Sequence, residues 1–110
     1  MSDDDEDDEL TTGGDVDVEE RPEDETKEPD MYNVVLHNDD YTTKEFVVEV
    51  LATVFHKPYP EATNIMLRAH RNGKAVVETY TFDIAQTKIE QVHRKARAKG
   101  YPLRCSVEKG

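Results

Sequence analysis

The chain has 110 residues, of which 25 are acidic and 14 basic, giving a formal net charge of −11. That length allows one small domain, or a smaller domain with an extension. Its apolar runs fall far short of the roughly 20 residues that a membrane helix needs, and its start is acidic where a signal peptide would be basic. A single cysteine, Cys105, excludes an internal disulfide and a multi-cysteine metal site. We therefore expect a soluble protein of a reducing compartment, with no membrane association.

The charge is divided unevenly along the chain. Residues 1–30 carry 16 acidic and 2 basic side chains, a net −14, whereas residues 31–110 carry 9 acidic and 12 basic side chains, a net +3. The first thirty residues contain too little apolar surface to offset the entropy of ordering them. We predict a disordered acidic N-terminal extension over 1–30, acting as a solubilising arm or a docking segment, and one folded domain over 31–110.

The folded part begins with a predicted strand and helix. Residues 31–38 alternate, with Tyr32, Val34 and Leu36 on one side, which favours a strand that ends at the turn-forming Asn38-Asp39-Asp40. Thr42 with Glu45 forms a capping box that predicts the start of a first helix. The apolar face of that helix consists of Phe46, Val47, Val50, Leu51, Val54 and Phe55.

A second helix is predicted to begin at or just after Pro60 and to end at Asn72-Gly73. Residues 74–81 alternate again and predict a second strand. The apolar positions of the second helix are Ala62, Ile65, Met66 and Ala69.

The last two elements are a third helix and a third strand. Asp83 with Gln86 forms another capping box, Gly100 ends the helix, and residues 103–108 alternate as a strand. The buried side of this helix is predicted to be Ala85, Ile89, Val92 and Ala96. The order β-α-α-β-α-β, with helices on one face of a three-stranded antiparallel sheet, predicts a small α+β domain.

Catalytic and metal sites are poorly supported. His37, His56 and His93 show no close ligand spacing with another histidine or cysteine. The chain has no glycine-rich phosphate loop, and its two serines lie in no nucleophile motif. Cys105 alternates with core positions, which predicts a buried thiol. We expect a protein that is not an enzyme and that has no cofactor and no metal.

The basic end of the third helix offers a different function, as a small nucleic-acid or ribosome-associated module. Its basic side chains are Arg94, Lys95, Arg97 and Lys99. Such residues also suit the negative end of a helix dipole, and no aromatic residues are interleaved with them. We therefore expect no nucleic-acid partner.

The turn at Asn38-Asp39-Asp40 is the most informative polar cluster. One explanation is a capping turn, in which Asp40 or Thr42 accepts from free backbone N–H groups. A cap needs one acceptor and three are supplied, so the surplus would suit a cation or an ammonium group. On the second helix Met66, Ala69 and His70 share a face, and an apolar slot beside a polar rim is the second explanation.

Several separated blocks of the chain strongly resemble the ClpS family. They include Tyr32–Thr42 with Glu45–Leu51, then Glu61–His70 with Gly73, then Asp83–Lys88, and finally Gly100–Cys105. Blocks in this order cover essentially all of residues 31–110. The resemblance implies a non-enzymatic adaptor that binds proteins with a bulky hydrophobic N-terminal residue (Leu, Phe, Tyr or Trp) and delivers them to the ClpA unfoldase of the ClpAP protease. It also implies a bacterial cytoplasmic location, and we expect a monomer.

The resemblance further implies a substrate pocket and a partner surface. Asn38, His70 and one or both of Asp39 and Asp40 would hold the free α-amino group, and a protonated His70 would bind it less well. The slot would be lined by Val47, Met66, Ala69 and Leu103, with Thr42 at its edge. Docking to the N-terminal domain of a ClpA-type AAA+ unfoldase would use Asp83 and Lys88.

Two positions depart from the family pattern. Thr43-Lys44 stands where the family commonly has Pro-Met, and that methionine excludes β-branched N-terminal residues. Lys44 can wall the pocket with its methylene stem, but we expect it to relax the exclusion of Ile and Val. Ala69 often corresponds to a valine, so we also expect a slightly roomier slot.

Overall fold

A computed structural model describes residues 29–110, and the prediction of a disordered extension therefore lies almost entirely outside the described residues. The elements follow the predicted order β-α-α-β-α-β. They are β1 (Met31–His37), α1 (Lys44–Thr53), α2 (Tyr59–Asn72), β2 (Lys74–Thr81), α3 (Phe82–Lys99) and β3 (Arg104–Lys109). Within this part of the chain, no helix is long and apolar enough to cross a membrane.

The three strands form one antiparallel sheet in the order β2-β1-β3, so that β1 is central. Leu36 lies opposite Ala75 of β2 and Cys105 of β3. The pairing of β1 with β2 shifts register between Val34 and Val35. All three helices contribute to one core on one face of this sheet, and the α+β class predicted from the sequence is confirmed.

The core contains the helix faces that periodicity predicts. On α2 and α3, all eight predicted positions are buried. The six apolar positions of the first helix are also buried, although α1 ends at Thr53 and Val54 and Phe55 therefore follow it. α3 packs across all three strands, and α2 lies between β2 and α1.

The alternation in β1 misses one buried residue. Val35 belongs to the face away from the helices, yet it is only 1% exposed. It lies opposite Val76 of β2 and Ser106 of β3. Because β1 is the central strand, side chains of both neighbouring strands shield Val35 even on the face that no helix covers.

Two predicted helix starts are wrong by one or two residues. The N-cap of α1 is Thr43, whose Oγ1 accepts from the N–H of Phe46 at 3.1 Å, so Thr42 and Glu45 form no capping box. Thr42 instead bonds to Asp39, which keeps it in the preceding turn.

The predicted capping box of Asp83 is also wrong, because α3 has Thr81 at its N-cap and no side-chain cap. β2 runs directly into α3. Thr81 pairs with Met31, and the ring of Phe82 packs edge-on against Tyr32 with 5.2 Å between centroids. Because of these contacts the helix begins at Phe82, one residue before Asp83.

α2 begins at Tyr59, one residue before the predicted start, with Pro60 in its first turn. Gly73 and Gly100 end α2 and α3 in the left-handed conformation, as the sequence predicts.

After α1 the chain also adopts the left-handed conformation, but at a residue that is not glycine. His56 has a φ of 57°, and the N–H of Lys57 donates to the carbonyl of Leu51 at 3.1 Å. Glycine is the usual residue where the chain leaves a helix in the left-handed conformation. A side chain with a Cβ carries a steric cost in that conformation.

We predict that His56→Gly raises the free energy of unfolding by about 0.5–1 kcal/mol, because glycine adopts the left-handed conformation without that cost. The measurement is urea denaturation of both proteins. His56→Ala is the matched control, since alanine keeps the Cβ, and it is expected to give no gain. Equal stabilisation by Gly and Ala would contradict the backbone explanation.

Candidate functional site

A pocket of about 180 Å³ opens at the end of the sheet where β1 finishes and β3 begins. It lies between the loop after β1, the start of α1 and the last turns of α2. A cavity of about 150 Å³ with apolar walls holds a benzene molecule, so the pocket can accept a single large side chain. Its lining residues are Leu36, His37, Asn38, Asp39, Asp40, Thr42, Lys44, Val47, Met66, Ala69, His70 and Leu103.

The inner wall of the pocket is apolar and part of the hydrophobic core. Leu36, Val47, Met66, Ala69 and Leu103 are all 9% exposed or less. Ala69 contributes only a methyl group on the face of α2 that it shares with Met66, so the helix leaves space there. Burying a Leu or Phe side chain against such walls contributes about 1.5–3 kcal/mol to binding.

The carboxylate of Asp39 organises the loop above this wall. Its Oδ1 accepts from the N–H groups of Tyr41 and Thr42 at 2.8 and 2.7 Å, and its Oδ2 accepts from the Thr42 hydroxyl at 2.8 Å. Partial burial by itself would raise the pKa of Asp39, but the hydrogen bonds from Thr42 and Tyr41 outweigh it and lower that pKa. Asp39 is therefore a fixed, ionised carboxylate with acceptor capacity left over.

Asp39, rather than Asp40 or Thr42, is thus the acceptor in this turn. The capping explanation from the sequence was right about the kind of interaction and wrong about the residue. It also leaves Asp40 available, since Asp40 is exposed and its side chain forms no hydrogen bond to another residue within 29–110.

A backbone hydrogen bond joins the loop to the end of α2. The N–H of Asn38 donates to the carbonyl of Gly73 at 2.9 Å, and the N–H of Gly73 donates to the carbonyl of Ala69 at 2.8 Å. Gly73 has a φ of 88°, which lets the chain leave α2 and enter β2 directly. This connection sets the exposed side chains of Asn38 and His70 on one rim of the pocket.

All ten residues that the sequence predicts for substrate binding line this one pocket. The structure brings them together from the loop after β1, from α1, from α2 and from the segment before β3. Sequence reasoning missed Leu36 and His37. The inward register of Leu36 at the end of β1 was the signal that could have placed it there.

The His37 ring is held by a contact with Ser106 on the face of the sheet that the helices do not cover. Its Nε2 lies 2.6 Å from the Ser106 hydroxyl. Burial, with the nearby positive charges of Arg104 and Lys74, lowers the pKa of His37, and Glu108 opposes this more weakly. The neutral ring is therefore the form that the folded protein favours.

The other groups considered from the sequence are structural in this part of the chain. Cys105 is a buried free thiol, as predicted, and burial raises its pKa to about 12. His93 accepts from the N–H of Cys105 at 3.2 Å, which ties α3 to β3. Residues 29–110 contain no group of three metal-ligating side chains.

The two predicted partner residues lie outside the pocket, on the first two turns of α3. Asp83 is exposed. The Lys88 ammonium donates to the carbonyl of Val54 at 2.8 Å and lies 6.0 Å from the centre of the Tyr80 ring. Lys88 is thus partly engaged at the end of α1, rather than being a fully solvated lysine, with two N–H donors left.

The pocket can hold a ligand with one bulky apolar group next to one cationic, hydrogen-bonding group. A family model described as ATP-dependent Clp protease adaptor protein ClpS matches residues 27–106.

Relatives in several bacteria carry the same description of function. The ATP-dependent Clp protease adapter protein ClpS of Syntrophus aciditrophicus is 59% identical over 86 residues, 78% of this chain and 80% of the relative. That of Nitratidesulfovibrio vulgaris is 52% identical over 99 residues, 90% of this chain and 93% of the relative. A solved structure of Agrobacterium tumefaciens ClpS2 bound to L-phenylalaninamide is similar with a TM-score of 0.74 at 40% identity, covering 76% of this chain and all of that one.

The fold and the matches define an adaptor of an ATP-dependent protease and not an enzyme. The chain belongs to the ClpS family.

We predict that the free energy of unfolding falls as the pH drops below about 6.5, the ordinary pKa of histidine. The pKa of His37 is lower in the folded than in the unfolded chain, so the unfolded chain takes up the proton at a higher pH. The contribution of His37 to stability is therefore fully present above pH 6.5. It decreases as the pH falls from 6.5 towards the folded pKa and below it. His37→Gln is expected to reduce this slope, measured by urea denaturation between pH 8 and pH 5. His70→Gln removes an exposed histidine as the control, and equal slopes in both variants would contradict the role of His37.

Proposed function

We propose that this Clp protease adaptor binds proteins whose N-terminal residue is bulky and hydrophobic, namely Leu, Phe, Tyr or Trp, and delivers them to a ClpA-type unfoldase. The observation that carries the proposal is the pocket itself. An apolar wall of Val47, Met66, Ala69 and Leu103 lies directly below a fixed, ionised Asp39. An N-terminal residue presents the matching pair of groups, a side chain and an α-ammonium, on one carbon atom.

The rim chemistry fits an α-ammonium, which has one positive charge and three N–H donors. Asp39 and Asp40 supply negative charge, Asn38 supplies an amide oxygen, and His70 supplies a ring nitrogen. The hydrogen bonds from Thr42 hold Asp39 in place before the ligand arrives, so little ordering cost is added on binding.

The ligand in the related solved structure supports the same arrangement. Agrobacterium tumefaciens ClpS2 was solved with L-phenylalaninamide, which has a free α-amino group and a benzyl side chain. The pocket volume of about 180 Å³ suits a group of that size.

Delivery requires a surface for the unfoldase that leaves the pocket open. We assign this unfoldase-binding surface to the start of α3. Asp83 is exposed there, and none of the residues that line the pocket belongs to this part of the helix. The remaining donors of Lys88 would support the contact. A ClpA-type N-terminal domain could then dock while a substrate occupies the other end of the sheet.

We predict that a peptide with N-terminal Phe binds at micromolar concentration or tighter and that N-acetylation reduces its affinity. Acetylation removes the charge and two donors and leaves the rim carboxylates unpaired, which costs about 2–5 kcal/mol, or tens- to thousands-fold in affinity. The measurement is fluorescence anisotropy with peptides labelled at the C-terminus.

Two variants sharpen this test. Asp39→Ala is expected to lower the affinity for the Phe peptide. The matched control is Arg94→Gln on α3, which lies away from the pocket lining and is expected to leave that affinity unchanged. Equal binding, or no binding, of the Phe and acetyl-Phe peptides would overturn the proposed specificity.

We also predict measurable binding of an N-terminal Ile peptide, because the exposed and flexible stem of Lys44 can move away from a β-branched side chain, and because Ala69 leaves room beside it. Lys44→Met is expected to lower the affinity for the N-terminal Ile peptide by about tenfold and to leave the affinity for the Phe peptide unchanged. A difference of this size is typical of one methyl group in a pocket. Affinity for Ile indistinguishable from that for an N-terminal Gly peptide would contradict this prediction.

A further inference from the structure

Three exposed arginines flank a shallow groove beside the pocket, and the adaptor function leaves them unused. Arg94 and Arg97 lie on the last turns of α3, and Arg104 begins β3. Two adjoining depressions of about 260 and 280 Å³ share His93 and Arg97 as lining residues. We call this surface, with Arg94, Arg97 and Arg104, the arginine groove.

The arginine groove has more positive than negative side chains, and its three arginines form no ion pair within residues 29–110. The ion pairs there involve Lys57, Lys74 and Lys109 as the cations, and none involves the three arginines. Glu90 lines the same depression but forms no ion pair with them. Lys95 and Lys99 add further positive charge to the same end of α3.

We propose that the arginine groove is the docking site of this chain's own acidic N-terminal run, Asp3–Glu9. All seven residues of that run are acidic, and residues 1–30 have a net charge of −14 against +3 for the rest. Guanidinium groups pair with carboxylates through two parallel hydrogen bonds, so arginines in particular favour a partner rich in Asp and Glu.

The connecting chain is long enough to reach the groove. β1 begins at Met31 beside Thr81, immediately before α3, and Arg94 and Arg97 lie about 18 and about 23 Å further along that helix. Between Glu9 and Asp30 lie 21 residue steps. An unstructured chain of that length spans about 25 Å on average and about 70 Å when fully extended.

Tethering favours this occupant over a separate molecule. A segment linked by about twenty residues is present at an effective concentration near the millimolar range, so weak ion pairs suffice to hold it. Docking would cover the basic surface and keep polyanions away from it.

The groove is poorly suited to single-stranded nucleic acid. Its lining residues include no Phe or Trp and one Tyr, Tyr101, whose ring packs against Phe46 with 4.9 Å between centroids. Tyr101 is thus partly engaged in the core, and the groove lacks the row of exposed aromatic rings on which successive bases usually stack in such binding.

The test is paramagnetic relaxation enhancement in the full chain, with a nitroxide on Ser2→Cys. The parent chain treated with the same reagent controls for labelling of the buried Cys105. We expect amide broadening centred on Arg94, Arg97 and Arg104, and a reduction of about threefold or more at 0.5 M salt, where exposed ion pairs are screened. Uniform broadening over the surface, or broadening that salt does not change, would overturn the proposal.

Paired variants test the site itself. Arg94→Gln with Arg97→Gln is expected to remove the broadening, and so is conversion of the seven acids of 3–9 to their amides. The matched control is Arg68→Gln with Arg71→Gln, an exposed arginine pair near the end of α2. Equal loss in both arginine pairs, or none in either, would argue against the arginine groove. Binding of a labelled single-stranded RNA at these arginines in the unmodified chain, without tail broadening, would assign the surface to nucleic acid instead.

These measurements need no substrate peptide and no protease. The proposal can therefore fail while the pocket still binds N-terminal residues, and it can hold if that specificity is wrong.

Discussion

The carboxylate of Asp39 is the group on which the pocket end of the molecule depends. It accepts from the backbone of Tyr41 and Thr42 and from the Thr42 hydroxyl, and so closes the turn between β1 and α1. Thr43 can then act as the N-cap, which sets the direction in which α1 leaves the turn. A carboxylate that builds the turn is also one held at a single position, and that makes it effective as a ligand for a cationic group.

The opposite side of the pocket depends on α2. Its buried face ends at Ala69, and Gly73 turns the chain so that its carbonyl receives the N–H of Asn38. The same hydrogen bond therefore connects the turn at Asp39 to the helix that carries Met66 and His70. Because both sides share one core with Leu36, the pocket forms together with the fold and does not need a ligand to assemble it.

Positive and negative charges are separated along the chain, and the fold brings several of the positive charges together at one end of the sheet. β3 is antiparallel to β1, so Arg104 lies opposite His37 at the pocket end of the sheet. α3 ends at that same end and brings its basic last turns there. The start of α3, which we propose as the partner surface, and the pocket lie at opposite ends of the sheet, so that one small domain can present two separate surfaces.

The class of fold, the order of its elements and most of the core were predictable from the sequence, because helix and strand periodicities are local. The buried faces of α2 and α3 follow directly from spacing. The turn at Asn38-Asp39-Asp40 was also visible, and the family resemblance named ten residues that now line one pocket.

Only the tertiary structure decided which residues cap and which surround the site. Thr81 starts α3 because its pairing with Met31 and the contact between Phe82 and Tyr32 place the chain there, and a local capping pattern cannot include those contacts. The cap at Thr43 depends instead on short-range hydrogen bonds of Asp39, which hold Thr42 in the preceding turn. Val35 is buried because its strand is central, and Lys88 is held by the carbonyl of Val54, 34 positions away in the chain. A backbone hydrogen bond at the rim of the pocket joins Asn38 to Gly73, 35 positions away in the chain, and no local sequence pattern predicts such a contact.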